Sequence, residues 1–247
     1  MLHERKVVVV VPAFNEEPRI AHVIRTMPAF VDAIVVVDDA STDRTRATAE
    51  AVGDPRVEVI TLEKNSGVGA AIYRGYEHAI ALSSHACDAF AVMAGDAQMD
   101  PDDLERVVTP IVKGRAGYVK GNRFRHGEWR RMPLVRYVGG RILSLMTRVA
   151  TGAVIDDSQC GYTGLSRQAA DSVDFAAAWK GYGYPNDLFA RLVEARVTTE
   201  EVVVRPIYAD EESKLGKVAA LRVGLVVLRA GVRRGARACG APASRPG

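Results

Sequence analysis

Long uncharged stretches are missing from this chain. No window of about 18 apolar residues runs free of charge, so no segment is expected to cross a membrane. Cysteine is scarce: Cys87, Cys160 and Cys239 are odd in number, far apart and without CxxC spacing. Neither a disulfide framework nor a thiolate zinc site is expected, and a reducing cytosol fits. The opening residues Met1-Leu2-His3-Glu4-Arg5-Lys6 mix acid with base and lead into only a short apolar strand, without a signal-peptide apolar region or cleavage site. Charge of one sign is not in excess: 33 Lys and Arg face 30 Asp and Glu. A global nucleic-acid footprint is therefore lacking. Two common phosphate loops are also missing. No GxGxxG follows the first apolar run, where Pro12 occupies the turn, and GxxxxGK[ST] does not occur. No internal repeat is visible. One absence is local: the last 34 residues, from Lys214, contain no Asp or Glu.

What is present is a sizeable apolar fraction, 48% of 247 residues, and a length that suits one large α/β domain or a domain with an appendage. Lys6 to Val11 is a β-branched run stopped by Pro12, and so a buried parallel strand. A helix is expected over 15–27, with Ile20, Val23 and Ile24 on one face. Ala33 to Val37 is a second strand, followed by a helix over 43–52. Val57 to Leu62 is a third strand, followed by a helix over 68–82. Ala89 to Met93 is a fourth, with a helix opening at Asp102. Alternation of this kind implies a mostly parallel sheet with helices on both faces. The second half is less regular. A short strand is expected at 117–121, a basic irregular stretch over 122–133, an amphipathic helix over 136–149, a helix from Pro185 to about Ala195, and a last strand over 197–204.

The stretch that organises the rest is Met93-Ala94-Gly95-Asp96-Ala97-Gln98-Met99-Asp100-Pro101. Asp100 and Pro101 read as helix N-cap and first helical residue. Asp96 and Gln98 stand at the carboxyl end of a strand, where open α/β sheets bind ligands. Their oxygens suit a hard cation, Mg²⁺ or Mn²⁺, that takes its remaining ligands from phosphate and water. The other early strands also end in polar or glycine residues: Phe14, Asn15 and Glu16 after the first, Asp38 and Asp39 after the second, Gly67 and Gly69 after the third. A doubly wound sheet lines these ends along one crevice. Acceptors such as Glu16, Asp39 and Asp96 suit a nucleotide's base N–H groups and ribose hydroxyls, and loop glycines let backbone approach a ligand closely. Each residue alone has a plainer reading as a cap or turn. Four such signals, each at a strand end, weigh against coincidence.

The ordered series Val11-Pro12-Ala13-Phe14-Asn15-Glu16-Glu17, Val37-Asp38-Asp39-Ala40-Ser41-Thr42-Asp43, Asn65-Ser66-Gly67-Val68-Gly69 and Gly95-Asp96-Ala97-Gln98-Met99-Asp100-Pro101 resembles the inverting family 2 glycosyltransferases of GT-A (Rossmann-like) fold. The later Lys120-Gly121-Asn122-Arg123, Asp157-Ser158-Gln159-Cys160-Gly161-Tyr162 and Glu212-Ser213-Lys214-Leu215 resemble the branch of dolichyl- and polyprenyl-phosphate mannose or glucose synthases. The resemblance spans roughly 6–215. It implies a nucleoside held by Pro12, Phe14, Glu16 and Asp39, a metal held by Asp96 and Gln98, and an acceptor phosphate near Arg123, Ser213 and Lys214. One departure stands out. Members of this branch often carry Asp-x-Asp before x-Gln, and here the first of those positions is Ala94.

The expected reaction moves a hexose from a nucleotide-diphosphate sugar of the GDP-mannose or UDP-glucose type to polyprenyl or dolichyl phosphate. A sugar-hydroxyl acceptor would need a general base, for which Asp187 is the candidate. A lipid phosphate is already anionic at pH 7 and needs cations instead, and Arg123, Arg125, Arg130, Arg131 and Lys214 are available. A non-catalytic nucleotide-sugar-binding protein is the third alternative. Such an acceptor lives in a membrane. The segment 214–237 sets Val218, Leu221, Leu225, Leu228 and Val232 near one helical face and Lys217, Arg222, Arg229, Arg233 and Arg234 largely on the other. That pattern suits an interfacial helix on anionic lipid. The expected organisation is a catalytic domain over 1–212, a membrane-interface segment over 213–237 and a disordered tail over 238–247. The expected location is peripheral, on the cytoplasmic face.

Overall fold

The computed structural model describes residues 1–207 and the helix 217–238, the latter with its side chains over 223–235. Seven strands form one sheet: β1 (Val7–Ala13), β2 (Ala33–Asp38), β3 (Val57–Thr61), β4 (Ala89–Val92), β5 (Tyr118–Asn122), β6 (Thr163–Ser166) and β7 (Thr199–Val203). Their spatial order is β3-β2-β1-β4-β6-β5-β7. Every pairing is parallel except the two made by β6, which runs antiparallel to β4 and β5. The run Val7 to Val11 is wholly buried, because helices cover both faces of the sheet. Val7, Val9 and Val11 join the core with α1 (Ile20–Arg25) and α4 (Leu104–Val112). Val8 and Val10 join the opposite core with α3 (Val68–Leu82) and α7 (Tyr184–Glu194).

Several boundaries differ from expectation, and two of the differences have a plain cause. Strand β1 does not stop at Pro12 but carries through to Ala13, in register with Asp38. The ladder to β4 ends at the Val10–Val92 pair, so the missing N–H at Pro12 falls beyond it and leaves no partner wanting. The first helix starts at Ile20 rather than Asn15. Asn15 takes a left-handed conformation, with φ 55°, which a helix cannot contain. The third helix spans 68–82 as expected.

The remaining helices are α2 (Thr45–Glu50), α5 (Leu134–Thr151), α6 (Arg167–Asp171) and α8 (Lys217–Ala238). Helix α5 is built inside out. Its buried positions are Gly140, Ser144, Thr147 and Thr151, all small or hydroxylic. Ser144 Oγ, Thr147 Oγ1 and Thr151 Oγ1 each donate to the carbonyl one turn back, at 2.8 Å. Its opposite face carries Leu134, Val135, Val138, Ile142, Leu145 and Val149 into the open, with Val135 84% and Val149 74% exposed. Among the described residues, no helix is long and apolar enough to cross a membrane.

The described part of α8 lies on α5 and α7. Val223, Val226, Val227 and Ala230 are buried there, while Leu225, Leu228 and Val232 are exposed. The sequence pattern put Arg233 and Arg234 on the polar outer face. Arg233 instead pairs inward with Asp187 and Glu194, whereas Arg234 is exposed as expected and its guanidinium donates to Val149 O at 3.2 Å, near the end of α5. Ser213, Lys214 and the tail 239–247 lie outside the described residues.

Candidate active site

The carboxyl ends of β1, β2 and β4 meet along one edge, and their turns are tied together by hydrogen bonds. Asp39 N–H donates to Ala13 O at 2.9 Å, and Gly95 N–H to Pro12 O at 3.0 Å. Asn15 N–H donates to Ser41 Oγ at 2.9 Å, and Asn15 Oδ1 accepts from Thr42 N–H at 2.8 Å. Glu16 N–H donates to Thr45 Oγ1 at 2.8 Å, and its buried carboxylate takes Arg19 at 2.9 Å. Phe14 stands half exposed beside them.

Asp39 is buried and joins this edge to the glycine loop. Its Oδ1 accepts from Ser66 N–H at 2.7 Å and its Oδ2 from Gly67 N–H at 2.9 Å. The loop explains its own glycines. Gly67 has φ 93°, and a Cβ there would stand 2.9 Å from Lys180 O. A Cβ on Gly69 would stand 2.8 Å from both Lys180 O and Tyr184 Cβ. The close approach these glycines permit is to the chain's own 180–184 segment. Lys180 O accepts from the N–H groups of Gly69 and Ala70, at 2.9 and 3.3 Å.

The β4 turn is half-buried. Asp96 Oδ1 accepts from Gln98 N–H at 3.0 Å, and Ala97 between them has φ 59°. This one-residue offset holds the Asp96 carboxylate and the Gln98 amide in one tight turn. Among the described residues, no group of three or more His, Cys, Asp or Glu side chains can hold a metal. The donor set present is thus one carboxylate and one amide oxygen. That set fits Mg²⁺ or Mn²⁺ only as a shared site, with a substrate diphosphate and water completing the shell. Asp100 caps the turn that follows by accepting from Asp102 N–H at 3.1 Å, and Pro101 is its first residue, as expected.

Next along the edge is a buried ionic cluster. Asp157 is fully buried and takes a two-pronged contact from Arg123, Nε to Oδ2 at 2.8 Å and Nη2 to Oδ1 at 3.0 Å. Burial alone would raise the Asp157 carboxyl, but Arg123 outweighs it and holds it below the usual range. Lys120 is buried beside them and donates from Nζ to Cys160 O at 2.7 Å. Burial pushes its ammonium down to about 8. Glu201 is raised by burial and accepts from the N–H groups of Asp156 and Asp157. The 157–162 loop so fixed reaches back to β4, where Tyr162 O–H donates to Asp100 O at 3.0 Å.

The chain and its mostly parallel sheet have counterparts among known proteins. The family model for glycosyl transferase family 2 matches residues 8–172. The chain belongs to that family. It is 27% identical to UDP-N-acetylglucosamine–dolichyl-phosphate N-acetylglucosaminyltransferase of Methanococcus voltae over 223 residues, 84% of this chain and 88% of that one. It is 26% identical to polyprenol monophosphomannose synthase of Mycolicibacterium smegmatis, over 89% of this chain and 83% of that one. In structure it resembles glucosyl-3-phosphoglycerate synthase of Mycobacterium tuberculosis, solved with Mn²⁺, UDP and glucosyl-3-phosphoglycerate. The TM-score is 0.70 at 22% identity, covering 93% of this chain and 81% of that one. The likeness establishes the GT-A fold.

Within this glycosyltransferase, the other expected site residues fall in two groups. Arg131 ends the short helical turn 127–131, its side chain 70% exposed and paired with Glu128 at 2.8 Å. Arg125 pairs with Asp156. Asp187, weighed as a general base, stands in the first turn of α7 and faces inward. Its Oδ2 accepts from Trp179 N–H at 2.9 Å and Arg191 Nε at 2.8 Å, and its Oδ1 from Arg233 Nη1 at 2.9 Å. Burial would raise its carboxyl, but these partners outweigh it and hold it low. A carboxylate so occupied anchors α7, α8 and the 177–181 segment to one another.

Sequence reasoning assigned no role to Lys120, Glu201 or Asn186. A lysine inside a strand flanked by Val119 and Gly121 was the available signal for the first. Asn186 Oδ1 lies 3.0 Å from Thr147 Oγ1 and accepts from Gln159 Nε2 at 3.1 Å beneath α5. No local pattern announces that contact.

Proposed function

We propose that this family 2 glycosyltransferase moves a hexose, with inversion, from a nucleotide-diphosphate sugar to polyprenyl or dolichyl phosphate at a membrane surface. The observation that carries the acceptor is α5. An 18-residue helix that exposes its whole apolar stripe while burying serines and threonines matches a lipid surface better than water. Helix α8 packs against α5 and exposes Leu225, Leu228 and Val232 as well. The relatives' dolichyl- and polyprenyl-phosphate chemistry supports the reading.

In this reading, Phe14, Glu16 and Asp39 border the nucleoside, with Pro12 and Gly67 shaping the backbone around it. Asp96 and Gln98 would hold Mg²⁺ or Mn²⁺ against the diphosphate, and the ion, when bound, offsets charge growing on the leaving group. The acceptor's phosphate oxygen attacks the anomeric carbon from the face opposite the diphosphate. The bond from that carbon to the β-phosphate oxygen breaks, and the nucleoside diphosphate departs with the electron pair. No proton need be removed, since a phosphate monoester is already anionic near pH 7. Arg123, fixed by Asp157, and Arg131 line the approach, with Ser213 and Lys214 assigned to it by resemblance.

The hydroxyl-acceptor alternative requires a base, and the ion-paired Asp187 is poorly suited to that work. The non-catalytic alternative draws on Ala94, yet an Mg²⁺ site sharing substrate phosphate needs only one or two protein carboxylates. A panel of nucleotide sugars with polyprenyl phosphate, scored for lipid-linked sugar, tests the proposal. Binding of UDP or GDP with no transfer to any acceptor would favour the non-catalytic alternative.

A further inference from the structure

A cavity of about 390 Å³ opens beside the Asp187 anchor, between the 177–181 segment, α7 and α8. Lys180, Arg191, Arg229 and Arg233 stand around it, against the carboxylates of Asp187 and, through Arg233, Glu194. The positive side is in excess by two. Arg191 and Arg233 are committed to carboxylates. Lys180 and Arg229 are not: among the described residues, no carboxylate lies within ion-pair distance of either. Arg229 instead lies over the Trp179 ring, 5.5 Å from its centroid. A further donor is unspent, because Arg233 Nη2 is buried and has no hydrogen-bond partner among the described residues. A buried guanidinium N–H without an acceptor is costly, and an anion in the cavity would offset the charge of the guanidinium that carries it.

We propose that this cavity binds a phosphate group, contacted by Arg229 and Lys180, with Trp179 as its wall and the guanidinium groups of Arg191 and Arg233 adding positive charge beside it. Arginine forks suit phosphate oxygens, and the excess of two positive charges matches a phosphate's charge. The phosphate has two possible sources: free in solution, or the headgroup of an anionic lipid. Leu225 lies one turn before Arg229 on α8 and is exposed, so the apolar face of α8 borders the cavity mouth. The proposal does not depend on sugar transfer.

Trp179 is a built-in reporter. The chain has two tryptophans, so Trp129→Phe leaves Trp179 as the sole strong fluorophore. In that background, without nucleotide, Trp179 emission is followed during titration with inorganic phosphate at constant ionic strength. A parallel arm uses vesicles of phosphatidylcholine with or without phosphatidylglycerol. A saturable change with inorganic phosphate, weakened about tenfold by Arg229→Gln, supports a site for free phosphate. A change only with phosphatidylglycerol vesicles, lost in Arg229→Gln, supports a lipid headgroup. Lys180→Gln, an exposed substitution with no packing to lose, should weaken either response in the same direction. The proposal is overturned if neither probe gives a saturable change, if chloride at equal ionic strength gives the same one, or if Arg229→Gln leaves it intact.

Discussion

Replacing Asp187 by Asn separates the two roles open to that carboxylate. The side chain is buried, and its three partners are Trp179 N–H, Arg191 and Arg233, all within 2.9 Å. Asparagine keeps one acceptor oxygen and loses the charge, so the contacts to both arginines weaken. A hydrogen bond to a charged group contributes about 1.5–3 kcal/mol. The arginine side chains are 21% and 31% exposed, so solvent screens part of this. A total loss of about 2–4 kcal/mol is expected. For a chain of this size that lowers Tm by roughly 5–15 °C. The acid limb changes too. Asp187 titrates below its ordinary value of 3.8, so its stabilisation is fully present above that pH and is lost as pH falls through the lower folded value. Asp187→Asn should flatten that part of the stability profile. Removal of a general base, by contrast, costs about 10²–10⁴ in kcat. Calorimetry and steady-state kinetics below the variant's Tm discriminate: an anchor gives a large fall in Tm with kcat within about tenfold. A kcat collapse at unchanged Tm would refute the anchoring role and restore the hydroxyl-acceptor reading.

Gly69→Ala forces a methyl against Lys180 O and Tyr184 Cβ, both at 2.8 Å, and should cost about 1–3 kcal/mol and weaken nucleotide binding by titration. Gly139→Ala, in α5 with nothing within 4 Å, is the control and should be neutral or slightly stabilising. Lys120 titrates near 8 folded against 10.5 in the open chain, so the unfolded state binds the extra proton between those values and stability should rise with pH across that window. Lys120→Met should abolish that rise in denaturant titrations. Ile142→Glu with Leu145→Glu alters two exposed side chains of α5, so Tm should move little, while sedimentation with anionic vesicles should weaken on the order of thirtyfold.

The strand-and-helix alternation of the first half was legible because its signals are local. The valine run of β1, the bounds of α3 and the Asp100-Pro101 cap each depend on a few neighbouring residues. The convergence of Glu16, Asp39, Gly67 and Asp96 followed from topology alone, since parallel strands bring their carboxyl ends to one edge. Other features depended on distant partners. Gly67 and Gly69 read as ligand-facing, but what crowds them is Lys180 and Tyr184, more than a hundred residues away in sequence. Asp187 stood as the candidate base because the sequence alone could not show that Arg233, on another helix, takes its second oxygen. The α5 pattern was visibly amphipathic, yet periodicity cannot say which face turns inward. Ser158 and Asn186, packed under the hydroxyls of Ser144 and Thr147, decide that.

The most direct test of the central claim is the product itself. An α-configured nucleotide sugar is incubated with the protein, polyprenyl phosphate and Mg²⁺ or Mn²⁺, and the lipid fraction is examined by NMR at the anomeric centre. The expected result is a β-linked sugar phosphate on the lipid, absent with Asp96→Ala. A lipid product of retained configuration, undiminished formation by Asp96→Ala, or sugar found only on hydroxyl acceptors would contradict it.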